Sequence, residues 1–267
     1  MLDQIRIDPG TKPHLAKRDT KDHLGLKDKA SAYERLAKLH VVLERLQGRL
    51  FAEDKHSLLL VIQGLDAAGK DGVIRRVFEG VNPTGVTVTS FKAPVGGELL
   101  HDYLWRIHAL LPRRGTIGVF NRSHYEDVVA VRMRELAPED VWRRRYEHIR
   151  SFERMLVEEG TTILKVFLNV SRDEQRARLQ ERIDDSEKRW KFRREDLLVR
   201  ERFDDWRAAW DEAVTATSTE WAPWHVVPAD RNWLKALAVA ELVAAALVAL
   251  DPQLPASEDG IDGLTVV

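Results

Sequence analysis

The 267-residue chain contains no cysteine. Disulfides, thiolate metal sites, iron–sulfur clusters and cysteine nucleophiles are therefore excluded. Net charge is almost absent as well: 42 lysines and arginines face 43 aspartates and glutamates, leaving −1 with histidine neutral. That balance argues against a general nucleic-acid binder, although local basic clusters remain open. No repeat or low-complexity block is visible. No pair of histidines has metal-site spacing with a nearby acid, so no zinc site is expected. The opening MLDQIRIDPGTKPH is polar and lacks the apolar core of a signal peptide. The longest apolar stretch, near the C-terminus, is Ala-rich and reads as shorter than the roughly 18 residues of a bilayer span. A cytoplasmic protein without a membrane partner is expected. Hydrophobic residues make up 44% of the chain, which is enough to build one large α/β core and excludes bulk disorder.

What is present alternates. Residues 1–28 are charged and aperiodic and read as an N-terminal arm or flexible lead-in. From Lys29 to Ala52, Tyr33, Leu36, Leu39, Leu43, Leu46 and Leu50 recur at three- and four-residue steps, the spacing of an amphipathic helix. Leu58–Gln63 is a continuous apolar run, expected to be a buried parallel strand. Further strands are expected at Val86–Phe91, Thr116–Phe120, Thr162–Leu168 and Trp224–Val227. Helices are expected at Leu99–Leu111, Val141–Glu159 and Trp233–Leu250. Strands alternating with helices predict a parallel sheet covered on both faces, with the site at the carboxyl ends of the strands. The domain spans 29–250, and 251–267 reads as a loose tail. Between Arg172 and Arg207 lie 12 basic and 11 acidic residues with few aliphatics. This segment is either a solvated helical hairpin or a mobile lid.

The strongest local signal is Gly64-Leu65-Asp66-Ala67-Ala68-Gly69-Lys70-Asp71-Gly72, which has the spacing G-x-x-x-x-G-K between a buried strand and a helix. Backbone N–H groups of such a loop face phosphate oxygens, and the helix N-terminus adds positive potential. Two departures stand out. Asp71 occupies the place of the usual Ser or Thr, and Asp66 lies inside the loop. Two like charges about 4 Å apart cost about 4 kcal/mol at an effective dielectric of 20. Asp66 therefore either holds a metal or a metal-bound water, or caps the following turn. After the third strand come Asn121, Arg122, Ser123, His124, Tyr125, Glu126 and Asp127. Arg122 is expected to face the phosphates. Glu126 and Asp127 either supply metal-binding charge or favour the first turn of a helix. His124 is expected to be a hydrogen-bonding residue. Arg178 and Arg182 share a helix face, Lys188 follows, and Arg75 and Arg76 lie one turn past the loop. Together these are more cations than one nucleotide needs, and a long polyanion would use them.

The motifs together resemble family-2 polyphosphate kinases. The resemblance rests on GLDAAGKDG with IRRVFEGVNPTG, on FNRSHYEDV, on RSFERMLVEEGTTILKVFLNVSRDEQRARLQERI, on DDSEKRWKF and on TSTEWAPWHVVPADRN. It runs in order from about Lys29 to Leu250. It implies a three-layer α/β/α P-loop kinase fold with a helical lid over about 172–207. It implies reversible transfer of a terminal phosphoryl group between inorganic polyphosphate and AMP, ADP or ATP, with guanine nucleotides open, using Mg²⁺ or Mn²⁺. Carried over by motif, Asp66, Lys70 and Arg122 form the catalytic centre. Gly64, Ala67, Ala68, Gly69, Lys70, Asp71, Gly72, Arg75, Arg178, Arg182 and Lys188 bind phosphate. Asn121, Arg122 and Arg178 bind nucleotide, and Asp66, Glu126 and Asp127 hold metal. Many relatives carry Asp where this chain has Asn121, and the Asn form resembles the subgroup using both AMP and ADP. A homo-oligomer is expected by analogy. The rival readings are an ATP-dependent nucleoside monophosphate kinase and a non-catalytic nucleotide-dependent scaffold.

Overall fold

The computed structural model describes residues 1–259, 261 and 263–266. The chain runs through α1 (Leu2–Ile5), β1 (Arg6–Ile7), α2 (Lys29–Glu53), β2 (Ser57–Gly64), α3 (Lys70–Val77), β3 (Val86–Ser90), α4 (Trp105–His108), β4 (Ile117–Asn121) and α5 (Glu126–Met133). It continues through α6 (Glu139–Glu158), β5 (Thr161–Asn169), α7 (Arg172–Asp184), α8 (Glu195–Glu201), α9 (Phe203–Thr217), β6 (Trp224–Pro228) and α10 (Asn232–Leu250).

The strands form one six-stranded sheet in the order β1-β6-β5-β2-β4-β3. All neighbours are parallel except β1, which pairs antiparallel with β6. β2 is central because every residue from Ser57 to Gly64 is buried, as a strand covered on both faces requires. Leu60 sits opposite Val119 on one side and Leu164 on the other. Helices α2, α3 and α10 pack together as one layer, and α5, α6 and α9 form another. Strands β2, β4 and β5 therefore end side by side, and the loops that carry the sequence motifs emerge there.

α2 begins where Asp28 accepts a hydrogen bond from the Ser31 N–H at 2.8 Å, half of a capping box. α10 is apolar on every face and sits inside the fold against α2, α3, β5 and β6. It reaches the length and composition of a bilayer span, which corrects the sequence expectation. Most of its apolar surface is taken up by the protein's own core, with Val248 left exposed near its end.

Three further expectations change. The leading segment is not loose: Ile5, Ile7, Leu15 and Leu24 are buried, and the Leu15 N–H donates to Asp211 at 2.8 Å. The predicted helix over Leu99–Leu111 shrinks to the four residues of α4. The Asp102 side chain takes the Leu104 N–H at 2.9 Å, an Asx turn that competes with helix. The charged stretch also ends earlier than its composition suggests. α9 starts at Phe203, and Phe203 and Trp206 are buried in the core. Residues 251–259 form no helix or strand, and Pro252 is buried.

Candidate active site

β2 delivers the chain to Gly64, whose φ of 151° lies in the region that favours glycine; a Cβ there would meet the Leu168 carbonyl at 2.9 Å. The chain then turns sharply. Ala67 is left-handed at φ 62°, and the Ala68 N–H closes onto the Leu65 carbonyl at 3.1 Å. Gly69, at φ 97°, caps α3. The Lys70 ammonium folds back to donate to the carbonyls of Gly64 at 2.7 Å and Leu65 at 3.3 Å. It is buried, and desolvation pushes it down to about 8, with Arg122 adding to the shift against Asp66 and Glu126.

The end of β4 supplies the facing wall. Arg122 is itself left-handed at φ 64°. Its guanidinium pairs with Asp66 across the site and with Glu126 at 3.5 Å. Glu126 and Asp66 raise the guanidinium above its ordinary range against burial, so it stays charged. Burial alone would push the Asp66 carboxyl up, but Arg122 and Lys70 outweigh it and hold it below the usual range. Asp66 is thus an ionised acid inside a phosphate loop, balanced by two cations. Beside it, the Asn121 amide donates to Asp71 at 2.7 Å and to the Ser90 hydroxyl at 3.4 Å.

α7 closes the outside of the loop. Ser171 caps it by accepting from the Glu174 N–H at 3.1 Å. The Gln175 amide then donates to the Asp66 carbonyl at 3.2 Å. Arg178 spends every N–H on the protein. Nε bonds Glu174 at 2.9 Å, one terminal nitrogen bonds the Ala67 and Ala68 carbonyls at 3.1 and 3.0 Å, and the other bonds the Ala229 and Asp230 carbonyls at 2.8 and 2.9 Å. A guanidinium has no donor left after five bonds. In this structure Arg178 clamps the loop's outer carbonyls, where phosphate and nucleotide binding were expected of it.

Other predicted residues divide. Arg182 contacts Asp196 at 3.5 Å and lowers the Asp66 carboxyl, so its charge is felt at the site. Arg75 is exposed on α3, and Gly72 lies in its first turn with open space where a side chain would project. Lys188 is not free: it bonds Glu181 at 2.7 Å and Asp185 at 2.8 Å. Asp127 does not join Asp66 and Glu126. It is buried against Arg106 at 3.3 Å, with its carboxyl pushed up by burial against that arginine. Among the described residues no group of three or more His, Cys, Asp or Glu is placed to hold a metal.

The sequence reading missed the support beneath this wall. Tyr125 donates to Glu153 at 2.7 Å, and Lys165 donates to Glu153 at 2.6 Å and to the Thr217 carbonyl at 2.7 Å. His124 faces the same carboxylate at 3.4 Å, the hydrogen-bonding place expected for it. All four side chains are buried. A lysine inside TILKVFL and a glutamate on the apolar face of α6 were the available signals.

A parallel sheet whose central strand hands a G-x-x-x-x-G-K loop to a helix N-terminus, with an arginine facing it from the next strand, defines a P-loop phosphotransferase. The model of the family described as Polyphosphate kinase 2 matches residues 26–255. The chain belongs to the polyphosphate kinase 2 family. It is 48% identical to an AMP/ADP-polyphosphate phosphotransferase from Meiothermus ruber, over 99% of this chain and 100% of the relative. It is 42% identical to an ADP-polyphosphate phosphotransferase from Rhodopseudomonas palustris, over 94% of this chain and 91% of the relative. Its fold superposes on the crystal structure of polyphosphate kinase 2 from Arthrobacter aurescens TC1 with a TM-score of 0.93 and 42% identity, covering 97% of this chain and 93% of the other.

Proposed function

We propose that the protein transfers a terminal phosphoryl group between inorganic polyphosphate and AMP or ADP, reversibly and with Mg²⁺ or Mn²⁺. The observation that carries this is the Asp66–Arg122 pair set across the mouth of the loop beside Lys70. An arginine–acid pair, with Arg182 within electrostatic reach, suits two polyanions that must approach each other. The relatives from Meiothermus ruber and Rhodopseudomonas palustris carry names of that activity.

The residues then divide the work. The acceptor is a phosphate oxygen, already largely ionised at neutral pH because a second phosphate pKa is about 6. No strong general base is required, and none of the site residues is asked to be one. Lys70 and Arg122 neutralise the oxygens of the transferring group and stabilise the charge spread over it in the transition state. The buried Tyr125–Glu153–Lys165 network holds the turn from which Arg122 projects.

Asp66 and Glu126 fit a Mg²⁺ site. Both carboxylates converge on the Arg122 guanidinium, and Mg²⁺ is held through one or two carboxylates with substrate phosphates and waters completing the shell. Asp127 pairs with Arg106 and not with Arg122, so it lies outside this carboxylate pair. When bound there, the ion would offset the repulsion between Asp66 and the phosphates.

The test is to incubate the protein with Mg²⁺ and either polyphosphate or ATP as donor, in parallel with AMP, ADP, GMP and GDP, and to separate the products. ADP formed from AMP and ATP formed from ADP are expected. Products appearing only when ATP is the donor would instead favour a nucleoside monophosphate kinase, and no net transfer would favour a scaffold.

A further inference from the structure

After its first residue, Asn232, α10 is apolar along its length except for Lys235 and Glu241. Glu241 is partly buried and pairs with Arg35. Lys235 is 2% exposed, and its ammonium reaches out of the helix layer to the phosphate loop. It donates to the Ala68 carbonyl at 2.7 Å and to the Ala229 carbonyl at 3.3 Å. A Cβ built on Gly69 would land on this ammonium, so the loop and the lysine are fitted to each other. A buried cation carries a desolvation cost of several kcal/mol, and an apolar residue here would avoid it. The ammonium sits against a carbonyl whose direction sets that of the next N–H.

We propose that Lys235 is a positioning residue of the phosphate cradle, holding the Ala68 carbonyl outward so that the Gly69 N–H faces the substrate phosphates. The peptide unit is planar and trans, so its C=O and N–H point in opposite directions. Pulling the Ala68 oxygen away from the site turns the next N–H into it. Arg178 grips the same oxygen at 3.0 Å from α7. The loop is thus held from two elements, α7 and α10, and neither cation touches the substrate side.

The same placement couples anion binding to a proton. Burial pushes the Lys235 ammonium down to about 7. Arg178 on α7 and Arg76 on α3 push the same way, while Glu174 on α7 and Asp230 after β6 oppose them. Above this value part of the free protein holds Lys235 without its extra proton, while Nζ still donates to both carbonyls. Phosphate charge entering the cradle draws the proton back on. This role rests on the reading of 64–72 as the phosphate site.

The experiment is titration calorimetry of inorganic tripolyphosphate into wild type, Lys235→Met and Lys235→Gln at pH 8, in two buffers of different ionisation enthalpy. Thermal melts confirm that each variant is folded. Met keeps the unbranched stem, and Gln keeps one donor without the charge. Both variants are expected to bind about ten- to a hundredfold more weakly, the loss of a charged hydrogen bond. Wild type is expected to take up more protons than either, up to about one per site. Folded variants with wild-type affinity and proton uptake would overturn the role, even if their melting temperatures fall. A wild type that binds no tripolyphosphate would remove the cradle reading and this role with it.

Discussion

The Asn121 amide donates to the Asp71 carboxylate at 2.7 Å, tying the end of β4 to the first turn of α3. The residue after the loop lysine, where a hydroxyl is usual, is thus held by a neighbour. Asn121→Asp sets two carboxylates against each other. Both are partly solvated, so the expected cost is about 1 kcal/mol at pH 7. Addition of Mg²⁺ should remove it. Melting curves with and without Mg²⁺ check this. A variant that melts like wild type at pH 7 without metal counts against the contact.

Lys70, Arg122, Asp66 and Glu126 form one charge-balanced group. Arg122→Ala and Lys70→Ala should each lower turnover by about 10³ to 10⁵, the worth of a transition-state cation in phosphoryl transfer. Asp66→Ala should also lose orders of magnitude and should lose its response to Mg²⁺ concentration. Steady-state kinetics across a metal titration separates these effects. An Asp66→Ala enzyme with an unchanged metal dependence would defeat the metal assignment.

Arg178 and Arg182 lie four apart on α7 yet should behave differently. Arg178→Ala strips donors from four buried or half-buried carbonyls. A cost of about 1–3 kcal/mol is expected for unsatisfied polar groups. Arg178→Lys should not restore it, because an ammonium lacks the planar fork. Arg182→Ala should melt within about 0.5 kcal/mol of wild type and weaken substrate binding instead. Denaturant unfolding paired with KM values distinguishes the two.

His225 on β6 is buried, with Nδ1 3.3 Å from the Lys165 carbonyl, and burial pushes its imidazole down to about 4. The ordinary value is about 6.5. Between these values the unfolded chain binds more protons than the folded one, so stability rises with pH through this window. The stability is fully present above about 6.5 and is lost as pH falls toward about 4, on the order of 3 kcal/mol in all. His225→Gln should flatten that part of the stability–pH curve. An unchanged slope would show that other groups carry the acid sensitivity.

The central strand, the phosphate loop and its helix were legible because each has its own pattern. LLLVIQ is a continuous apolar run, and the glycines and lysine have fixed spacing. β1 was not legible: two residues are too few to show a period, and Ile7 is buried by pairing with a distant strand. Leu99 and Leu100 have helical spacing but stay exposed, because spacing records what a segment offers and not whether a core receives it. Arg178 was placed on the correct helix, but the sequence does not say that this face meets the loop's carbonyls rather than solvent. Lys165 and Lys235 were hidden by apolar surroundings that read as core, and their partners come from elements far away in the chain.

The most direct measurement is the rate of ATP formation from ADP and a polyphosphate of defined length, for wild type and Arg122→Ala side by side. Rapid, Mg²⁺-dependent ATP formation by wild type, lowered by orders of magnitude in the variant while ADP still binds, is the predicted result. Equal rates in the two proteins, or no ATP from either, would contradict a reaction centre built on Asp66, Lys70 and Arg122.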